Sequence, residues 1–382
     1  MHHRSALTNG LCLALLLLLA GCASAPPAQA PGAQKLPSAV QAWPPSVGSV
    51  NLDTVEQPLE PALDLALVSF NPGLPEQLAG LSRQGIFPDI RKAEARYLAV
   101  HLRQVLQASN AWGAVRVLPE PQPGAVLQLR GDILHSDGRF LVLQIRAEDA
   151  SGRIWLDRVY ADEAQGADYP VLDGSDPFID LHRQVANDLL AAYRSLPAAE
   201  VQQLPEIALL RQAAVLAPES FGGFVAEDES GRYQLLRLPA DNDPMLARVE
   251  LIRAQEFRFI DTVDEQYVDL YQTMQPTYNL WRQYGREQAL YREDYQRRLA
   301  QRDRAGARGT YAAMEQTYNA FKWSKIQQQD LEELARGFNN EVQPTVLEVS
   351  GSVYRLGGSL ESQYEEWRDI LREIFRLESA VQ

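Results

Sequence analysis

Few residues of this chain combine the types and spacing that chemistry needs. After the first 21 residues there are three histidines, His101, His135 and His182, and no two share a metal-ligand spacing. HExxH, CxxC and glycine-rich phosphate loops do not occur. Asp180-Leu181-His182 sets an acid beside a base, but residues two apart on a helix point in different directions, so the triplet reads as helix surface. Asp241-Asn242-Asp243 offers the oxygens that open a calcium loop, yet the glycine and the closing bidentate glutamate are missing. Pro244 makes an N-cap the more natural role for Asp243. Ser220 and Ser350 lie near glycines but in no G-x-S-x-G elbow. Glu332-Glu333 and Glu365-Glu366 could suggest the carboxylate pair of a glycan hydrolase, which must face each other across a cleft. Adjacent helix residues do not face each other, and both pairs are flanked by seam residues, so they read as solvated faces. The sequence therefore assigns no catalytic residue, no metal ligand and no cofactor.

Recognition chemistry is better represented. Eleven of the 15 tyrosines follow residue 230. Tyr267, Tyr271, Tyr278, Tyr284, Tyr291, Tyr295, Tyr311 and Tyr318 recur at helical spacing with Trp281, Trp323 and Trp367. Such residues fill a core or form an aromatic binding face, since interfaces concentrate Tyr, Trp and Arg. Arg297, Arg298, Arg302, Arg304 and Arg308 end the same stretch. They suit the negative end of a helix dipole, or a contact with anionic envelope material such as peptidoglycan carboxylates or lipid phosphates. The expected partner-binding surface is Tyr284, Tyr291 and Tyr295 with Arg297, Arg298 and Arg302.

One cysteine stands in a chemically suggestive place. Arg4 precedes an apolar run from Leu11 to Leu19, which is followed by Leu19-Ala20-Gly21-Cys22. This layout is that of a secretory signal. The run is shorter than the roughly 20 residues a spanning helix needs. The tetrapeptide resembles the lipobox of bacterial lipoproteins. That resemblance implies cleavage before Cys22, a diacylglyceryl group on its thiol, and anchoring at a membrane. Ala23 and Ser24 lack the aspartate of an inner-membrane retention signal, so the expected location is the periplasmic face of the outer membrane. Cys12 falls in the discarded leader, which leaves Cys22 alone and excludes an intrachain disulfide.

The formal charge is −14, and losing Arg4 with the leader makes it −15. Such acidity disfavours nucleic acid, because a polyanion would be repelled. It is spread over both halves of the chain and reads as solubility rather than steering.

The elements that must position these residues follow from periodicity. Residues 22–58 are rich in Pro, Ala, Gln and Ser and read as a tether that carries the lipid. Ala62–Phe70 is an apolar run ending at Asn71-Pro72-Gly73, a buried strand and its turn. Pro88–Ala108 has helical spacing, and Val115–Leu118 is a short strand. Val126–Leu134, Phe140–Glu148 and Ile154–Tyr160 alternate apolar and polar residues across Asp137-Gly138 and Ser151-Gly152, which predicts an antiparallel meander with one wet face. Asp176-Pro177 starts a helix to about Leu196. The order β-α-β-β-β-α within 59–197 resembles the α/β domain of curli-secretion, flagellar outer-membrane and penicillin-binding-protein activator lipoproteins, and the N-terminal domain of the Tol-Pal β-propeller protein. The likeness lies in Ala66-Leu67-Val68-Ser69-Phe70, Ala95 through Leu106, and Ile145 through Tyr160. It implies a docking module without catalysis, by fold analogy alone.

Residues 198–242 read as a connecting helix and hairpin. From Asp243 on, a long helix to about Arg304, broken or kinked at Pro276, precedes helices at Thr310–Phe338 and about Thr345–Glu378. Their near-heptad seams predict a long-helix bundle or coiled-coil hairpin over 243–382. The expected fold class is α+β, a small β-α-β-β-β-α sandwich followed by that bundle. The expected function is a non-catalytic scaffold that binds envelope proteins, with a cell-wall hydrolase or a lipid or ligand carrier as alternatives. Opposed carboxylates in a deep pocket would favour the hydrolase, a closed apolar cavity the carrier, and an exposed aromatic patch the scaffold.

Overall fold

The computed structural model describes residues 43–304 and 344–380, apart from short gaps at 78–80, 82–85, 173–174 and 350, together with residue 329. Cys22, the leader, the helix expected at Thr310–Phe338 and the pair Glu332-Glu333 lie outside the described residues. The chain is mixed α/β. Its main sheet is five-stranded and open, in the order β2-β1-β3-β4-β5. The strands are β1 (Leu65–Val68), β2 (Val115–Leu118), β3 (Leu127–Ser136), β4 (Phe140–Asp149) and β5 (Ile154–Glu163). β1 runs parallel to β2 and β3, whereas β3, β4 and β5 form the antiparallel meander.

The alternation in the sequence sorts side chains between faces. Leu127, Leu129, Leu141, Leu143 and Ile145 point to one side and pack under α1 (Pro88–Ala108) and α2 (Ile179–Ser195). On the other side of β3 and β4, Arg130 and Arg146 face each other and solvent. β1 has no wet face at all. Leu65 and Leu67 join the core under α1, while Ala66 joins a second core with Leu118. A parallel strand buried on both sides is expected to read as continuous apolar residues, as Ala66-Leu67-Val68 does.

That second core is built by α3 (Ala198–Leu216), α5 (Pro244–Arg304) and α6 (Leu360–Ala380). The single turn α4 (Pro218–Phe221) adds Phe221. Leu210, Val249, Ile252, Phe259, Tyr364 and Trp367 pack there against Ala66 and Leu118. The described residues of 243–382 thus share their core with the α/β part instead of forming a separate bundle. An apolar helix stripe binds whichever apolar surface is nearest, and the back of β1 and β2 supplies one. α5 runs through Pro276 without a break. Pro276 and Gln272, whose carbonyl loses its hydrogen bond, are both exposed, so water can satisfy the freed group.

Two expectations are corrected. Residues 345–378 are not one helix: β8 (Thr345–Val349) and β9 (Ser352–Leu356) form a hairpin, and α6 begins only at Leu360. Thr345, Leu347 and Val349 are buried while Val346 and Glu348 are exposed, a period of two that excludes a helix. The reading of residues 43–58 as free tether also fails. Val47 N donates to Ala161 O at 2.9 Å and Val55 N to Ser109 O at 3.0 Å, so this segment is strapped along β5 and the end of α1. Val47, Leu52 and Val55 pin it to the core. A second small hairpin, β6 (Val225–Glu227) with β7 (Tyr233–Leu235), lies within the region read as connecting. Among the described residues no helix is long and apolar enough to cross a membrane.

Candidate functional site

Tyr284, Tyr291, Tyr295, Arg297 and Arg298, expected from sequence to meet a partner, all lie on α5, with Leu280 beside them. Leu280 is 46% exposed and Tyr284 39%, while Tyr291 and Tyr295 are half-buried. Arg297 and Arg298 are exposed and bridge within the helix, to Glu293 at 3.0 Å and Asp294 at 2.7 Å. Position 302 is helical, and its side chain lies outside the described residues. At 100° per residue Leu280, Tyr284, Tyr291, Tyr295 and Arg298 fall within an arc of about 60°. A helix of 61 residues is about 90 Å long.

The inner face of α5 carries a constellation that no sequence pattern announced. Arg282 is wholly buried and its Nη1 donates to Asp176 Oδ2 at 2.8 Å. Asp176 also accepts from Phe178 N at 2.9 Å and from the Tyr97 hydroxyl at 3.3 Å. Arg282 Nη2 donates to Asn279 Oδ1 at 2.6 Å, and its guanidinium lies 4.5 Å from the Tyr278 ring centre. Burial pushes the Asp176 carboxyl up, but Arg282 outweighs it and holds the group well below the usual carboxylate range. Sequence reading made Asp176 an N-cap; α2 instead begins at Ile179, and Asp176 serves as a buried counter-ion.

Around this pair stand two of the three histidines, brought together from α1 and α2. His101 and His182 meet edge to face with ring centres 4.7 Å apart. His182 Nδ1 lies 3.0 Å from Phe178 O; a carbonyl only accepts, so Nδ1 carries the proton and Nε2 is a buried lone pair without a partner. Burial, reinforced by His101, pulls the His182 pKa down to about 3. Burial also lowers that of His101. Tyr97 stacks on Tyr271 at 4.5 Å and meets Tyr278 at 4.6 Å, while Tyr278 donates to Glu94 Oε1 at 2.7 Å. Two glycines allow this close approach. Gly138, at φ +83°, and Gly285 let the β3–β4 turn rest on the α5 backbone, where a Cβ on Gly138 would come within 1.9 Å of Arg282 O.

A third polar cluster ties four elements together. Glu256 Oε2 accepts from Gln122 and Gln212, at 2.9 and 3.1 Å, and Oε1 accepts from Tyr364 at 2.7 Å. Arg368 Nε is 3.5 Å from the same Oε1. A cleft of about 250 Å³ beside it is lined by Glu120, Glu256, Glu365 and Arg368. Both Glu256 oxygens are engaged, so this carboxylate is a structural tie and not a free base. Glu365 and Glu366 are solvated, as their neighbours Tyr364 and Trp367 turn inward.

The remaining candidates take ordinary places. Asp180 accepts from Arg183 at 3.0 Å, whereas His182 bonds the Phe178 carbonyl, so the two do not act as an acid-base pair. Asp243 caps α5, accepting from Met245 N at 2.8 Å. His135 lies 3.0 Å from Asp137 at the surface. Among the described residues no three His, Cys, Asp or Glu side chains are grouped to hold a metal ion. Comparison with protein-family models, curated proteins and solved structures finds no match to this chain.

Proposed function

We propose that this chain is a lipoprotein anchored through Cys22 to the periplasmic side of the outer membrane, where it acts as a non-catalytic scaffold that captures an envelope protein on the outward face of α5. The observation that supports this reading is the stripe Leu280, Tyr284, Tyr291, Tyr295 and Arg298. Two of its large apolar members are more than a third exposed, on a helix whose opposite face buries Tyr278, Trp281 and Arg282. Tyrosine gives large contact area at low entropy cost, and arginine adds a planar, multi-donor head. Peptidoglycan carboxylates are a further anionic contact for the arginines.

A photo-crosslinking residue at position 284 or 291 in cells should trap a discrete protein adduct, and the same residue at Leu251, exposed elsewhere on α5, should not. Tyr284→Ala with Tyr291→Ala should lower capture at least about 30-fold, the equivalent of one hot spot of about 2 kcal/mol, without changing the melting temperature. Cys22→Ser should release the protein from membranes. Equal adduct yields at 251 and 284 would remove the binding face, and sedimentation of the Cys22→Ser chain with membranes would remove the anchor.

A further inference from the structure

We propose that His101 and His182 form an acid-sensitive latch that holds the middle of α5 against α1 and α2. The two rings sit at the junction of three helices. Each side of that junction can be read for charge. α1 contributes Tyr97, Gln104 and His101, α2 contributes His182, the segment before α2 contributes Tyr169 and Asp176, and α5 contributes Tyr271, Tyr278 and Arg282. Asp176 and Arg282 cancel, so the junction is neutral while both imidazoles are neutral. Glu94, one turn before Tyr97, is already engaged by Arg91, Ser136 and Tyr278. Protonation of both rings would leave two added positive charges beside a buried guanidinium, facing one carboxylate that Arg282 already occupies. The new N–H at His182 Nε2 would meet no acceptor. The junction relieves this only by opening, which hydrates both rings and releases the Tyr97 to Tyr271 stack.

Linkage gives the direction. A histidine whose pKa is lowered by burial adds stability at pH values above its unfolded value of 6.5, and loses it as pH falls toward the folded value. For His182 the opening equilibrium should rise about 30-fold between pH 7.5 and pH 5.0, with His101 adding in the same direction. Asp264, also on α5 and pushed up to about 6 by burial despite Arg103, acts oppositely: it stabilises the closed state on acidification and cannot mimic the effect.

Amide hydrogen exchange of the full chain, corrected for intrinsic rate, tests the latch. Protection over 271–286 should fall at least several-fold at pH 5.0 relative to pH 7.5, the roughly 30-fold contribution of His182 being reduced by the opposing Asp264, while protection over 141–147 in the sheet is kept. The double variant His101→Phe with His182→Leu should keep α5 protected at pH 5.0. Unchanged α5 protection in the wild type, loss of the sheet in step with α5, or the same acid response in the double variant would each overturn the proposal. Should that variant not fold, imidazole nitrogen titration of the wild type decides. Rings that gain protons only as α5 loses protection support the latch, and rings that titrate near 6.5 with α5 still protected exclude it.

Discussion

Replacing Arg282 by Met should test whether the buried ion pair organises the junction. The guanidinium is inaccessible, and Asp176 Oδ2 takes its main bond from it at 2.8 Å. Without it, Asp176 keeps only the Phe178 N–H and the long Tyr97 contact. The molecule then has two escapes. It can retain an uncompensated buried carboxylate, which costs about 3–5 kcal/mol. Or it can protonate Asp176, whose ordinary value is 3.8, at about 4 kcal/mol at pH 7 from 1.36 kcal/mol per unit. Both routes give a loss of about 4 kcal/mol at neutral pH. They also fix its pH dependence. In the variant the Asp176 pKa rises above its unfolded value, so that group adds stability below 3.8 and loses it as pH rises through the folded value. The penalty should therefore shrink by up to about 1.4 kcal/mol per unit between pH 7 and pH 5. Urea unfolding read by tryptophan fluorescence, at pH 5 and pH 7 with an unchanged slope, measures both quantities. Adding Asp176→Leu should restore most of the loss, since apolar replacement of a whole buried pair is often neutral. A loss under about 1 kcal/mol for the single variant, or a double variant as unstable as the single one, would refute the assignment.

Gly138→Ala should destabilise by more than the 1–3 kcal/mol of a single strained residue, because φ of +83° and a Cβ 1.9 Å from Arg282 O act together; thermal melting reads it, and a melting temperature within a degree of wild type would contradict the docking of the turn on α5. Tyr364→Phe should lower unfolding stability by about 1–3 kcal/mol, because Glu256 Oε1 is then left with Arg368 alone at 3.5 Å; a change under about 0.5 kcal/mol in urea unfolding would show that the tie is not needed.

Local periodicity was the legible part of this fold. Pro88–Ala108 is a helix over the residues whose apolar spacing predicts it. Phe140–Glu148 extends by one residue, to Asp149. Ile154–Tyr160 extends by three, to Glu163, because its end pairs with the start of β4 and is held by a neighbour, not by its own pattern. The hairpin at 345–356 was legible too and was overridden by a heptad reading. Thr345, Leu347 and Val349 alternate, and Ser350-Gly351 supplies a turn in which Gly351 has φ +76°. A heptad register set from Leu360 to Ile374 holds within α6 and was carried too far upstream.

The buried junction was not legible as a unit, because periodicity assigns a residue to a face and never to a partner. Asp176 and Arg282 are 106 residues apart, and the reading of Asp180-Leu181-His182 as helix surface fails for His182, which is wholly buried because a neutral imidazole is apolar enough to sit on the inner face of an amphipathic helix. One signal was nevertheless present. At 100° per residue Tyr271, Met274, Tyr278, Trp281 and Gly285 span about 80° of one face of α5, and Arg282 falls beside that arc. A guanidinium on a face otherwise made of aromatic residues, methionine and glycine must either break the packing or find a buried acceptor. The capping pattern places Asp176 at a helix start and the spacing places Arg282 beside an aromatic face; neither points to the other, and only the fold joins them.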